Sequence, residues 1–148
     1  MNPILAFALA GAFVSGALVA LQAPTNAMLS RAVGSPVNAA LVSFAVGTLA
    51  LAAVALALGV RPAGATVRSL PWYAWTGGLY GAVFVAVAAF AAPRFGIAYF
   101  VVVAIAGQLA MALLLDRLGA FGLDQIEISP SRILGVLLVL AGAVLVRH

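Results

Sequence analysis

The sequence predicts an all-α membrane protein with five transmembrane helices. Of its 148 residues, 66% are hydrophobic and 7% are charged, whereas a soluble domain carries about 25% charged residues. The mean hydropathy is +1.26. Five apolar stretches approach the roughly 20 residues that a membrane helix needs, at about 3–29, 36–58, 71–91, 95–115 and 131–147. We therefore expect residues 1–148 to form a single transmembrane domain.

The first predicted helix carries two amides, a hydroxyl and a proline in its far half. Gln22 and Asn26 are four residues apart and share one face of a helix. Pro24 lacks the N–H group and crowds the carbonyl of Ala20, so we expect a kink there. In lipid, these groups need partners from neighbouring helices or from water. Without a basic segment or a cleavage site, the helix is expected to be retained rather than removed as a signal peptide.

Start and stop signals mark the other four helices. Ser35-Pro36 and Ser129-Pro130 pair a capping residue with proline at the first helical position, which predicts the starts of the second and fifth helices. The aromatic cluster Trp72–Trp75 is typical of headgroup depth and begins the third helix. Pro93-Arg94 predicts a tight turn before the fourth helix, which we expect to end at Asp116-Arg117.

Five spans place the two termini on opposite sides of the membrane, and the arginines are nearly balanced between them. One side holds four and the other three, namely Arg61, Arg68, Arg117 and Arg132 against Arg31, Arg94 and Arg147. Balance is typical of a chain that inserts in both directions and pairs with an inverted copy. The alternative is one fixed orientation, set by Arg61 and Arg68.

Composition argues against nucleic-acid binding and catalysis. The net charge is +4, but the arginines are scattered singly, whereas a nucleic-acid surface needs clustered charges. We expect them to be interfacial anchors. The chain has no cysteine, and its one histidine, His148, is terminal. The serines lack a partner base, and the three acids lack metal-ligand spacing. We therefore expect no enzyme activity, metal or cofactor, and no role for His148.

Small residues mark faces on which membrane helices can pack closely. Ser43 and Gly47 are four apart on the second helix, and two glycines have the same spacing on the third. On the fifth helix two glycines are seven apart on a leucine- and valine-rich segment, where we expect a subunit contact. The predicted dimer-packing residues are Gly77, Gly81, Gly135 and Gly142.

Polar side chains within the spans are the candidate functional residues. Gln108 lies near the centre of the fourth helix. We hypothesise that it and the two amides of the first helix line a central cavity where two subunits meet. Amides both donate and accept hydrogen bonds, which suits a neutral or zwitterionic solute. The alternative is that they only join helices, at about 0.6 kcal/mol each. The candidate solute-binding residues are Gln22, Asn26, Gln108, Tyr80, Tyr99 and Phe84.

Asp116 is the acid nearest to a span. Because a charge at the bilayer centre costs about 2.5–3.5 kcal/mol, we expect it at the helix end beside Arg117. These two residues form a predicted boundary or gating pair, and a proton-coupling role for Asp116 is the alternative.

Several motifs together resemble the YdcZ-like family, a five-helix branch of the drug/metabolite transporter superfamily. They are Gln22-xxx-Asn26, Ser43-Phe44-xx-Gly47, Pro71-Trp72, Gly77-Gly78-xx-Gly81, Pro93-xx-Gly96, Gly107-Gln108, Asp116-xx-Gly119-xx-Gly122 and Arg132-xx-Gly135. The resemblance covers nearly the whole chain. It implies a multi-pass exporter of the bacterial inner (plasma) membrane. Family members occur singly, as adjacent pairs or as ten-helix fusions, which implies a homodimer or a paralogous heterodimer.

The family is similar to the four-helix small multidrug resistance transporters, which work as antiparallel dimers, and the helix carrying Gly135 and Gly142 resembles their dimerisation helix. Those transporters exchange protons for cationic drugs at a glutamate in the first helix, where this chain has only amides. Proton-coupled drug antiport is therefore not implied. The expected function is alternating-access export of a small polar or amphipathic solute at a central dimer site. The alternative is a non-transporting membrane subunit that packs with another membrane protein.

Overall fold

The structure is a computed structural model that describes residues 2–60, 64, 67 and 69–147. These residues form helices and loops without a strand, which confirms the all-α class. The five long helices are α1 Pro3–Val33, α2 Pro36–Ala57, α3 Gly77–Phe95, α4 Ile97–Leu118 and α5 Pro130–Val146, with short 3-10 turns at Trp72–Trp75 and Ala120–Gly122. The predictions for Arg61, Arg68 and His148 concern positions outside the described residues.

The helices have the length and composition of membrane spans. Within the described chain, four segments have at least 18 residues and a mean hydropathy of 1.6 to 2.4. They are Pro3–Val33, Pro36–Ala57, Trp72–Phe95 and Ile97–Leu118. The fifth helix has 17 residues, which at 1.5 Å per residue span about 25 Å. The 31 residues of α1 span about 46 Å, longer than a hydrocarbon core of about 30 Å, so this helix tilts or extends into the headgroups.

Side-chain caps confirm two of the predicted helix starts. The Ser35 hydroxyl accepts from the Asn38 N–H at 3.0 Å, and the Ser129 hydroxyl accepts from the Arg132 N–H at 3.3 Å. The connection between α1 and α2 is only Gly34 and Ser35. Gly34 has φ 84°, a left-handed conformation that glycine adopts readily. Such a short connection makes the two helices antiparallel neighbours.

The predicted turn at Pro93-Arg94 is wrong. Both residues lie inside α3, and the break before α4 falls at Gly96 instead, where φ is 88° and ψ is 145°. Proline loses one helical hydrogen bond and crowds the carbonyl four residues before it, yet the helix continues for two residues beyond Pro93. The conformation at Gly96 is one that residues with a Cβ rarely adopt, and this glycine, not the proline, sets the boundary.

The chain divides into two compact units, the first ending at Arg94 and the second beginning at Phe95. The first unit contains α1, α2 and α3. Its buried positions are dominated by alanine, the smallest chiral side chain, which lets helix backbones approach closely in lipid. The buried alanines are Ala23, Ala27, Ala39, Ala40, Ala88, Ala89 and Ala92.

The second unit contains α4 and α5, which pack along each other. The loop between them folds back on the end of α4. The Ile126 N–H donates to the Asp116 carbonyl at 2.8 Å, and the Gln125 amide donates to the Arg117 carbonyl at 2.7 Å. Two carbonyls at the helix end thereby gain partners. Large apolar side chains on both units are mostly exposed, as expected for helices that face lipid or another protein.

Candidate functional site

The polar residues of α1 occupy two different environments. Asn26 is 4% exposed, and its Nδ2 atom has no hydrogen-bond partner among the described residues. Gln22, one turn earlier, is exposed. The helix continues through Pro24, and the Thr25 hydroxyl donates to the carbonyls of Leu21 at 3.1 Å and of Gln22 at 3.0 Å. The two amides that the sequence places on one helix face therefore differ in burial, because Asn26 is buried and Gln22 is accessible.

Gln22 lies at a recess of about 200 Å³ between α1 and α2. Half of the residues that line it are polar and none is charged; they are Gln22, Ser43, Phe44, Gly47, Thr48 and Leu51. The small Ser43 and Gly47, which the sequence suggested only as packing positions, here line the space beside the amide. Two hydroxyls and one amide both donate and accept hydrogen bonds. The recess can therefore bind an uncharged polar group.

The Nδ2 atom of Asn26, which has no partner among the described residues, lowers the stability of the first unit. A buried donor without an acceptor costs about 1–3 kcal/mol relative to one that is hydrogen-bonded. Buried polar groups in folded proteins nearly always have partners. An acceptor from a solute, from water or from a second chain would remove the cost, which makes Asn26 the strongest single candidate for a functional side chain in this unit.

An apolar groove of about 420 Å³ lies between α2 and α3. Its lining is Val37, Ala40, Leu41, Phe44, Ala82, Val83 and Ala86. Phe44 lines both this groove and the polar recess. A Cβ placed on Gly81 would lie 3.0 Å from Cζ of Phe44, so the glycine makes room for the ring. Gly81, predicted to pack against another subunit, is used here within its own unit.

The remaining candidate solute ligands belong to both units. Tyr80 is exposed, and its hydroxyl accepts from the Thr76 hydroxyl at 2.9 Å, while Phe84 is half-buried on the same helix. Gln108 and Tyr99 belong to the second unit, where Gln108 is exposed at the midpoint of α4 and Tyr99 is half-buried in its first turn. Within the first unit, the structure places Gln22 beside Ser43 and Thr48.

The carboxylate of Asp116 pairs with Arg132 and not with its neighbour Arg117. The two side chains are 25% and 34% exposed, and Nη1 of Arg132 is buried without a partner in the described chain. Asp116 lies in the last turn of α4 and Arg132 in the first turn of α5. Both charges are at the helix end that the helix dipole disfavours. The 16-residue separation gave no sequence signal for this pair.

The glycines of α5 leave open space around them. A Cβ added to Gly135 or Gly142 would meet no atom within 4 Å, and the same holds for Gly77 on α3. Gly135 is exposed and Gly142 is half-buried. These three positions are therefore free to contact another chain, and their predicted role in a dimer stays a prediction.

Helices of this length and apolarity, with an uncharged polar recess inside one unit, define a multi-pass α-helical membrane protein. Residues 7–145 match the family described as "Putative inner membrane exporter, YdcZ", and the chain belongs to that family. No curated protein and no solved structure gives a significant match. The resemblance predicted from the motifs is confirmed. Membership places the chain in the inner membrane, indicates an exporter and points away from an enzyme.

Proposed function

We propose that the chain exports a small polar or amphipathic solute by alternating access. The observation that supports this most directly is the buried Asn26 amide, whose Nδ2 donor has no partner among the described residues, one helical turn from the recess at Gln22. A helix that only spans the membrane gains nothing from an unsatisfied amide, which costs about 1–3 kcal/mol. A carrier gains a donor that becomes satisfied when solute or water enters.

The chemistry of the recess favours a neutral or zwitterionic solute. Gln22, Ser43 and Thr48 offer amide and hydroxyl groups, and the first unit contains no acidic residue, since every Asp and Glu lies between 116 and 127. A bare organic cation would therefore enter without a counter-charge. Phe44 adds an aromatic wall that suits an apolar part of an amphipathic solute.

A second, inverted copy or a paralogue completes the proposed transporter. Gln108 is an exposed amide at the midpoint of α4, and a polar side chain at that depth faces a protein or a water-filled cavity rather than lipid. Gly135 and Gly142 leave α5 open to close approach by another helix. In this arrangement the two halves rock around a central site that is exposed to each side in turn.

The Asp116–Arg132 pair is proposed as a gate at the end of α4. It joins two helix ends at positions where each charge opposes its own helix dipole. Both side chains are partly exposed, at 25% and 34%, and ion pairs in contact with solvent contribute about 0–1 kcal/mol, so the net cost of opening is small. A contact with a small opening cost suits a step that must reverse in every cycle.

The test replaces amides and follows transport and assembly separately. Everted membrane vesicles containing the chain are incubated with a cell extract, and the metabolites they accumulate are identified by mass spectrometry. We expect Gln22→Leu and Gln108→Leu to abolish accumulation of the transported metabolite, while cross-linking still detects the dimer. Gln125→Leu is the matched control, because that amide lies in a loop and bonds the Arg117 carbonyl. If the variants change only assembly, the chain is a non-transporting subunit.

A further inference from the structure

A third cavity, of about 540 Å³, lies in the first unit where α1 ends and α2 begins. Its volume falls within the range of small-molecule sites, about 300–1,000 Å³. The cavity shares no lining residue with the recess at Gln22. It is lined by two arginines, two serines and smaller or apolar residues, namely Arg31, Arg94, Ser30, Ser35, Ala27, Gly34, Pro36, Ala89, Phe90 and Pro93.

Neither arginine has a counterion from its own unit. Every Asp and Glu of the chain lies between residues 116 and 127, beyond the unit that ends at Arg94. Arg31 makes no side-chain hydrogen bond or ion pair with any described residue. In the span order predicted from the sequence, the acidic stretch also falls on the other side of the membrane. An anion that neutralises the positive charge of this cavity must therefore come from outside the protomer.

The side chain of Arg94 is held in place without being neutralised. Its guanidinium carbon lies 3.8 Å from the centroid of the Phe90 ring, and Nη1 donates to the Phe90 carbonyl. Stacking and one hydrogen bond orient the planar group and use one of its five N–H donors. Ser35 accepts from the Asn38 N–H, which leaves its hydroxyl proton free to donate. The cavity wall thus presents guanidinium and hydroxyl donors.

Helix dipoles account for only part of this arrangement. Arg31 and Arg94 lie in the last turns of α1 and α3, where a cation is favourable. Each helix end carries about half a unit of charge, and the N-terminal end of α2 at the same cavity has the opposite sign. Most of the positive charge of the two guanidinium groups therefore remains uncompensated.

We propose that this cavity binds an anionic phosphoryl group, with Arg31 and Arg94 as its charged ligands and the Ser30 and Ser35 hydroxyls as further donors. A phosphoryl group presents several oxygen acceptors in a tetrahedron, which matches donors converging from three helices better than one planar carboxylate does. Guanidinium groups bind phosphate oxygens through paired, charge-assisted hydrogen bonds. The phosphoryl group belongs either to an anionic phospholipid headgroup or to a soluble organic phosphate.

The test measures binding of two defined probes to the full chain. Phosphatidylglycerol is titrated into nanodiscs of phosphatidylethanolamine, and bound lipid is counted by native mass spectrometry; glycerol 3-phosphate is titrated separately, with thermal stability as the readout. We expect Arg31→Gln and Arg94→Gln each to weaken binding about tenfold, as loss of a hydrogen bond between charged groups does. Arg147→Gln is the control, because this exposed arginine is predicted on the same side of the membrane and lies outside the cavity.

Each result has one meaning. Arginine-dependent binding of the lipid alone identifies a headgroup site, and arginine-dependent binding of glycerol 3-phosphate identifies a site for a soluble phosphate. The proposal is overturned if Arg147→Gln weakens binding as much as Arg31→Gln, since the effect is then diffuse surface charge. It is also overturned if neither probe binds. Disruption of the dimer by Asp124→Asn, as by Arg94→Gln, would then identify the anion as a carboxylate of a second copy. Arg31→Lys and Arg94→Lys retain the charge and separate loss of binding from loss of folding.

Discussion

Replacing Asn26 with leucine gives a prediction in which stability and transport move in opposite directions. Leucine has the same number and branching of side-chain heavy atoms as asparagine, but it has no donor to leave unsatisfied. Asn26 is 4% exposed, and its Nδ2 atom has no partner in the part of the chain that the structure describes. Removing a buried unsatisfied donor is expected to stabilise the protein by about 1–3 kcal/mol.

The expected shift is large enough to measure. For a chain of this size, 1 kcal/mol moves the melting temperature by about 2–4 °C, so Asn26→Leu is expected to raise it by roughly 2–12 °C. The assay is thermal unfolding of the purified protein in detergent. In parallel, everted vesicles containing the variant are expected to lose accumulation of the metabolite that the wild type transports, because the donor for that solute is gone.

Asn38 provides the matched control. It is exposed, and its amide donates to the Val33 carbonyl at 3.0 Å. Asn38→Leu therefore breaks a hydrogen bond and is expected to lower stability by about 0.5–1.5 kcal/mol with transport retained. A fall in melting temperature for Asn26→Leu would refute the reasoning, since the amide would then join helices, at about 0.6 and at most 1.7 kcal/mol. Asn26→Ala guards against a fall caused only by the bulk of the leucine methyl groups.

Three further predictions concern the ion pair, a close contact and the topology. Exchanging the charges in the double variant Asp116→Arg with Arg132→Asp keeps the pair and places each charge at its favourable helix end, so unfolding assays are expected to show a gain of roughly 0.5–2 kcal/mol, with transport retained because the ion pair is kept. Gly81→Val places side-chain atoms against Phe44 and is expected to cost about 1–3 kcal/mol, which Phe44→Ala relieves in the double variant. Gly64→Cys introduces a single cysteine, because the chain otherwise has none. An impermeant thiol reagent added outside intact cells is expected to label about half of the molecules, as dual insertion requires.

Each of these has its own control and its own contrary result. Arg117→Asp changes a charge outside the ion pair and is expected to give no such gain in stability, and loss of transport in the charge-exchanged variant would contradict the proposed gate. Gly78, which has no atom within 4 Å of an added Cβ, is expected to accept valine without the Phe44-dependent cost, and failure of Phe44→Ala to rescue Gly81→Val would contradict the contact. Labelling of all or none of the Gly64→Cys molecules would mean one orientation, and the inverted partner would then have to be another chain.

The sequence alone determined the class of the protein and most of its helices. Membrane insertion depends on apolar length and composition, which are local properties, so five apolar helices could be predicted from the sequence. The third α-helix begins at Gly77, six residues after the predicted start, because Trp72–Trp75 forms a separate 3-10 turn. The capping pairs Ser35-Pro36 and Ser129-Pro130 act through neighbouring backbone groups, and both predicted starts are confirmed. The local rule failed at Pro93, which lies inside the helix. The helix boundary falls at Gly96, whose φ is 88°. The family also followed from motif spacing, as the match over residues 7–145 confirms.

Only the tertiary structure decided which polar side chains meet. Gln22 and Asn26 share a helix face by sequence. Gln22 is accessible beside Ser43 and Thr48, whereas the Nδ2 atom of Asn26 is buried with no partner in the part of the chain that the structure covers. Asp116 forms its ion pair with Arg132 and not with its neighbour Arg117. These outcomes depend on helix packing between segments distant in the chain, and periodicity within one segment carries no information about it. The cavity at Arg31 and Arg94 has the same origin. The two arginines are 63 residues apart in the sequence, and the packing of their helices places both in the lining of one cavity.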